Sequence, residues 1–136
     1  VNEAEIKGAL ARQQLTLGKG DVIIIHTGFM ALMGIEAKRY MAAQPGLGIE
    51  GALYLASFDP AAVGADTFGI EITPGEVAGL DLPVHMEFLP KRGIYLLENM
   101  VTHELVADKA WEFMFVLGQA RIKGAVQMVI NPVAIR

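Results

Sequence analysis

The run Asp21-Val-Ile-Ile-Ile-His-Thr27 constrains the fold more than any other stretch of this chain. Four consecutive β-branched residues favour extended backbone, and without polar alternation neither face of the strand can be left in water. The run therefore predicts an interior strand covered on both sides, ended by Gly28. A second β-forming run, Trp111-Glu-Phe-Met-Phe-Val-Leu117, alternates poorly and predicts another largely buried interior strand. Ala61 to Glu71 reads as a short buried strand opening into a loop at its glycines, Ile94 to Leu97 as a strand, and Val126 to Ile135, with Pro132 inside it, as an edge or terminal strand.

Helical signals separate these runs. Asn2 with Glu5 three positions on forms the Asx version of a capping box, so a helix is expected over Asn2–Gln14 with Ile6, Ala9, Leu10 and Gln13 on one side. Glu36 to Ala43 has helical composition before Gln44-Pro-Gly46 breaks the chain. Gly48 to Phe58 is amphipathic, with Ile49, Leu53 and Ala56 or Ser57 expected on the buried side, and Glu104 to Ala110 is irregular or a single turn. Strands covered by helices make an α/β domain. There is no repeat, linker or composition break, so residues 1–136 are expected to form one domain.

Composition narrows what such a domain does. The chain is 53% hydrophobic and 19% charged, against a usual charged share of about 25%, so polar side chains are too few to cover its surface. A face hidden against another copy, a homo-oligomer, is the expectation. No apolar run reaches the roughly 18 residues of a spanning helix, which argues against a membrane. A net charge of −4 without a basic cluster argues against nucleic acid. With no cysteine there is neither a disulfide scaffold nor a thiol nucleophile. The first residues carry no basic, signal-like segment, and a cytoplasmic location is expected.

The most suggestive polar pair is His85 and Glu98, which bracket the segment Pro83–Asn99. The Gly93 break would bring these two residues to one pocket. An imidazole and a carboxylate converging there would ligate a metal or act as base and orienter. The plainer alternatives are a hydrogen-bonded rim histidine and a solvated glutamate. Asp66 and Thr67 stand at the mouth of a strand, where polar groups line clefts in α/β folds, or else where an Asx turn supports the loop. His26 reads as a satisfied buried or rim histidine within its strand and His103 as a solvated one.

Several segments together resemble the cyclase family that includes kynurenine formamidases (arylformamidases) and isatin hydrolases. They are Gly20-Asp-Val-Ile-Ile-Ile-His-Thr-Gly28, Pro45-Gly-Leu47, Val63-Gly-Ala-Asp-Thr-Phe-Gly-Ile-Glu71, His85 with Gly93-Ile-Tyr-Leu-Leu-Glu-Asn99, and Lys123-Gly-Ala125 running to Asn131-Pro-Val-Ala-Ile135. The resemblance implies a compact α/β domain of the swivelling β/β/α type, with a mixed, barrel-like β core and flanking helices. It also implies a metal-dependent hydrolase, with zinc or manganese, that opens an amide or lactam. His85 and Glu98 fall where the family has its C-terminal metal ligands, and Asp66 and Thr67 fall in a segment that lines the same cavity. The family's hallmark segment His-x-Gly-Thr-His-x-Asp-x-Pro-x-His, with most of the ligands and the catalytic histidine, has no counterpart here. The resemblance thus implies the C-terminal portion of such an enzyme, inactive alone. The alternatives are a non-catalytic binding or assembly module, and a metal-free acid/base enzyme using Glu98 and Asp66.

Overall fold

A computed structural model describes all residues, 1–136. Its elements are helix α1 (Glu3–Gln13), strand β1 (Val22–Ile25), a 3-10 turn (Phe29–Leu32), helices α2 (Ala37–Ala42) and α3 (Ile49–Ala56), strand β2 (Ala62–Ala65), helix α4 (Pro83–Arg92), strand β3 (Tyr95–Leu97), helix α5 (His103–Ala107), and strands β4 (Met114–Val116) and β5 (Val133–Ile135). The first three strands form a parallel sheet in the order β1-β2-β3, and β4 pairs antiparallel with β5 in a separate ribbon.

The expected capping box is present. The Asn2 side chain faces the Glu5 backbone, and the Asn2 amide donates to the Glu5 carboxylate over 2.8 Å. One face of the parallel sheet carries the main core, with Val63 and Ala65 packed among Ile6 of α1, Leu55 of α3 and Phe88 of α4. On the opposite face a smaller cluster of Ala62, Leu97 and Met100 is covered by Phe115, Leu117 and Ile130. The layers therefore run helices, parallel sheet, ribbon.

Three expectations are corrected. The Asp21–Thr27 run is not interior: β1 is an edge strand, hydrogen-bonded only to β2. Its two faces are nevertheless both partly covered, Ile23 and Ile25 by the main core and Val22 and Ile24 by the smaller cluster, which is why the run lacks polar alternation. Trp111–Leu117 is not a buried interior strand either, since only Met114–Val116 is extended and both ends of that strand face solvent. Register explains the misleading pattern: Met114 lies opposite Ile135 and Val116 opposite Val133, so the outward face of the ribbon is also apolar. In α3 the buried residues are Gly51, Ala52, Leu55 and Ala56, while Leu53 is exposed, because α3 packs against both α1 and α4.

Glu87 of α4, buried among its neighbours, pairs with Lys91 Nζ at 2.8 Å and Arg92 Nε at 2.7 Å. Lys91, then Arg92, hold its carboxyl below the usual carboxylate range. A depressed carboxyl contributes stability above its unfolded value and loses it as pH falls through the folded one. Glu87→Gln is expected to cost at most about 1 kcal/mol at pH 7, because both cations are solvent-exposed, and nothing at pH 2. Urea midpoints at the two pH values check this.

Candidate functional site

The carboxyl ends of three parallel strands place three titratable residues side by side: His26 follows β1, Asp66 follows β2 and Glu98 follows β3. In open parallel sheets this edge is where ligands bind, because the connecting loops leave a crevice there. His85 reaches the same edge from α4. Pro83 opens that helix at its first turn, and Glu71, at the end of the β2 loop, accepts from the Val84 and His85 amides at 3.2 Å each. A carboxylate from a distant segment thus caps α4, where the helix dipole favours negative charge.

The same carboxylate grips the histidine. Glu71 Oε1 lies 2.5 Å from His85 Nδ1, and Glu98 Oε1 lies 3.3 Å from His85 Nε2. Glu98 raises the imidazole pKa from its ordinary value, burial opposes this, and Glu71 adds to the rise. The expected convergence of His85 and Glu98 is therefore present.

No local pattern marks Glu71 for this role, although it ends one of the segments that carry the family resemblance. A second such segment holds it in place. Leu47 pairs with Glu71, donating its amide to Ile70 O at 2.9 Å and accepting from the Ile72 amide at 3.0 Å. A Cβ on Gly46 would collide with the Ile70–Glu71 backbone. Ile70, just before the glutamate, is buried at φ 58°, a conformation that costs a β-branched residue about 1–3 kcal/mol.

Asp66 is 1% exposed, and its carboxylate accepts from the Thr27 amide, the Thr27 hydroxyl and the Gly28 amide, each at 2.7 Å. Thr67 is fully buried; its backbone carbonyl accepts from the Asn99 amide, while its hydroxyl has no partner. A cavity of about 360 Å³ opens on the ribbon side of the sheet, with Ile24, Glu98, Asn99, Thr102 and Phe115 among its walls. Asp66, Thr67 and His85 are not among its walls; Asp66 ties the end of β2 to the residues that follow β1, and Thr67 ties it to Asn99. Tyr40 joins the two sides of the edge. Its hydroxyl donates to Asn99 Oδ1 at 2.5 Å, and burial, then Asp66, then Glu98 push its pKa up. His103 is exposed at the start of α5.

The donor set suits a divalent metal in part. Two ligand atoms about 2.0–2.2 Å from one tetrahedral zinc lie roughly 3.3–3.6 Å apart. The observed 3.3 Å between His85 Nε2 and Glu98 Oε1 meets that separation. No group of three or more His, Cys, Asp or Glu is arranged to hold a metal. Glu71 cannot be the third ligand with them, because it sits on Nδ1, on the other side of the ring. The pair fits two coordination positions, with Glu71 as the outer partner that orients the histidine.

The family model described as "Putative cyclase" matches residues 1–72. A crystal structure described as a novel cyclase superposes with a TM-score of 0.89 at 30% identity, covering all of this chain and 46% of the other. The chain thus spans about half the length of that relative. No curated protein matches it.

Proposed function

Because the chain belongs to the cyclase family, we propose that it supplies His85 and Glu98 to a metal-dependent hydrolase that opens an amide or lactam C–N bond. The observation that carries this reading is the Glu71–His85–Glu98 row, in which one carboxylate fixes the imidazole and a second lies at ligand spacing from its other nitrogen. His85 and Glu98 would hold two positions of a zinc or manganese ion, whose chemistry there would be to activate a water near neutral pH and polarise the carbonyl. With a metal bound, Glu71 would hold the proton on His85 Nδ1 while Nε2 faced the ion. Glu98 adds negative charge at the same point and forms part of the cavity wall, where an amide or lactam would lie.

Metal analysis and hydrolysis of formanilide, an aryl formamide, test the proposal. The 136-residue chain is expected to hold metal weakly and turn over negligibly. Joined to a segment of the form His-x-Gly-Thr-His-x-Asp-x-Pro-x-His, it gains both, and His85→Ala in that longer protein lowers occupancy or rate tenfold or more. Full activity of the short chain, or a His85→Ala protein with unchanged metal and rate, contradicts the reading. Absence of metal from both forms favours a non-catalytic binding module.

The protein also associates with further copies of itself. Support comes from the outward face of the ribbon, where Met114, Val116, Val133 and Ile135 are all exposed, since a two-stranded ribbon with an uncovered apolar face is marginal in water. Sedimentation at micromolar concentration is expected to give a dimer or larger species; a clean monomer overturns it.

A further inference from the structure

Asn99, the residue after Glu98, is exposed and forms part of the same cavity wall. Its backbone stands at φ 55°, a left-handed conformation that asparagine tolerates better than most residues, and its amide donates to Thr67 O at 2.9 Å. The side-chain amide is fixed as well. The Tyr40 hydroxyl lies 2.5 Å from it, within the range of O–H···O bonds and too short for N–H···O, so the phenol donates and the atom it meets is Oδ1. Tyr40 is itself held: it is buried, with its ring stacked on Phe29 at 5.6 Å between centroids and edge-on to Phe68 at 6.3 Å. With Oδ1 turned inward to a buried phenol, the amino end of the amide, Nδ2 with its two N–H donors, is the part that faces the cavity.

We propose that Asn99 is a substrate-binding residue of this cavity, donating from Nδ2 to the carbonyl oxygen of an uncharged aromatic amide, with Tyr40 as the residue that positions it. The cavity volume of about 360 Å³ lies in the range of small-molecule pockets, roughly 300–1,000 Å³, and Phe113 and Phe115 give it apolar walls for an aryl ring. Charge narrows the class of ligand. Glu98 and Glu104 stand in the wall, and its one cation, Arg136, is already paired with Asp108, so a carboxylate on the ligand would meet no free counter-charge. The assignment deepens the hydrolase reading and rests on it for the reaction, but not for the binding of the amide.

Binding and turnover test it separately. In nitrogen-15 NMR of the 136-residue chain, formanilide is expected to shift the Asn99 side-chain NH2 resonance. Asn99→Gly, which suits the left-handed backbone, is expected to weaken binding about tenfold, and Asn99→Asp, which keeps an acceptor for Tyr40 but has no donor, by at least as much. Tyr40→Phe keeps the stacked ring; it should move the same resonance in the free chain and weaken binding less than the loss of Asn99 does. N-formylanthranilate, an aryl formamide that adds a carboxylate, is expected to bind about tenfold more weakly than formanilide. An Asn99 resonance that formanilide leaves unmoved, or binding to Asn99→Gly within about threefold of the parent, overturns the proposal; turnover of formanilide by the longer form would then leave the hydrolase reading intact. Equal binding of N-formylanthranilate overturns the uncharged class, and an Asn99 resonance unchanged in Tyr40→Phe overturns the positioning role. Formanilide bound at Asn99 without turnover in any form counts against the hydrolase reading and supports this site.

Discussion

Replacing Asp66 by alanine is expected to cost about 2–4 kcal/mol, because each donor left without its acceptor costs roughly 1–3 kcal/mol when buried and less where water reaches it. The loss is that large because one carboxylate answers three donors on the β1 side: the Thr27 amide, the Thr27 hydroxyl and the Gly28 amide. Alanine leaves those part-buried groups without their acceptor, and it releases the loop that follows β1. A domain held by roughly 5–15 kcal/mol would be near its limit after such a change. Asp66→Asn keeps an acceptor at the same place and should lose less than half as much. Urea denaturation of the three proteins at pH 7 measures both steps. An Asp66→Ala chain within 1 kcal/mol of the parent would mean that water, rather than the carboxylate, satisfies these amides.

Glu71→Ala is expected to act on the metal more than on the fold. In the metal-binding form it should weaken affinity 10- to 100-fold, the usual consequence of removing the partner that orients a histidine ligand. The change removes the contact at His85 Nδ1 and the cap on α4 together, so the ring is free to turn and its helix end frays. Glu71→Gln retains an acceptor for the backbone amides but not the charge, so it separates the two effects: most of the stability should remain, with affinity still reduced. Zinc titration followed by dialysis reads the affinity, and thermal unfolding of the metal-free protein reads the cap. Equal affinity in the parent and both variants would show that His85 is oriented by something else.

Much of this site can be read from the chain, and the unread part has a physical reason. The capping box at Asn2, the helix over Gly48–Phe58, the short strand ending at Asp66, and the approach of Glu98 to His85 all follow from local spacing and the break at Gly93. Glu71 does not. It lies 14 residues before His85, beyond a loop, and its role depends on Gly46 and Leu47 pressing against its backbone, a pairing no local pattern announces. The edge position of β1 is hidden for a different reason. Burial of side chains writes itself into hydrophobicity, whereas a missing hydrogen-bonded neighbour does not. The ribbon shows the converse. Phe113, Phe115 and Leu117 do turn inward at alternate positions, but Met114 and Val116 between them are apolar too, so the alternation is invisible. His26 was legible as a rim residue; the two oxygens beside it come from the residue after β2 and from the residue before α5, and only the folded chain brings them together.

The parallel order β1-β2-β3 has a consequence for the sequence of events in folding. Val22 pairs with Ala62 and Ala62 with Tyr95, so each pairing closes a loop of roughly 30–40 residues before any strand bond forms. His26, Asp66 and Glu98 each sit one residue past the end of one of these strands. Each meets its neighbour only once the loop between their two strands is closed, so the complete row exists only when both pairings have formed. Whatever binds at this edge must wait for the native sheet. It would then prolong the life of the folded state by slowing its opening, without hastening the search that produces it.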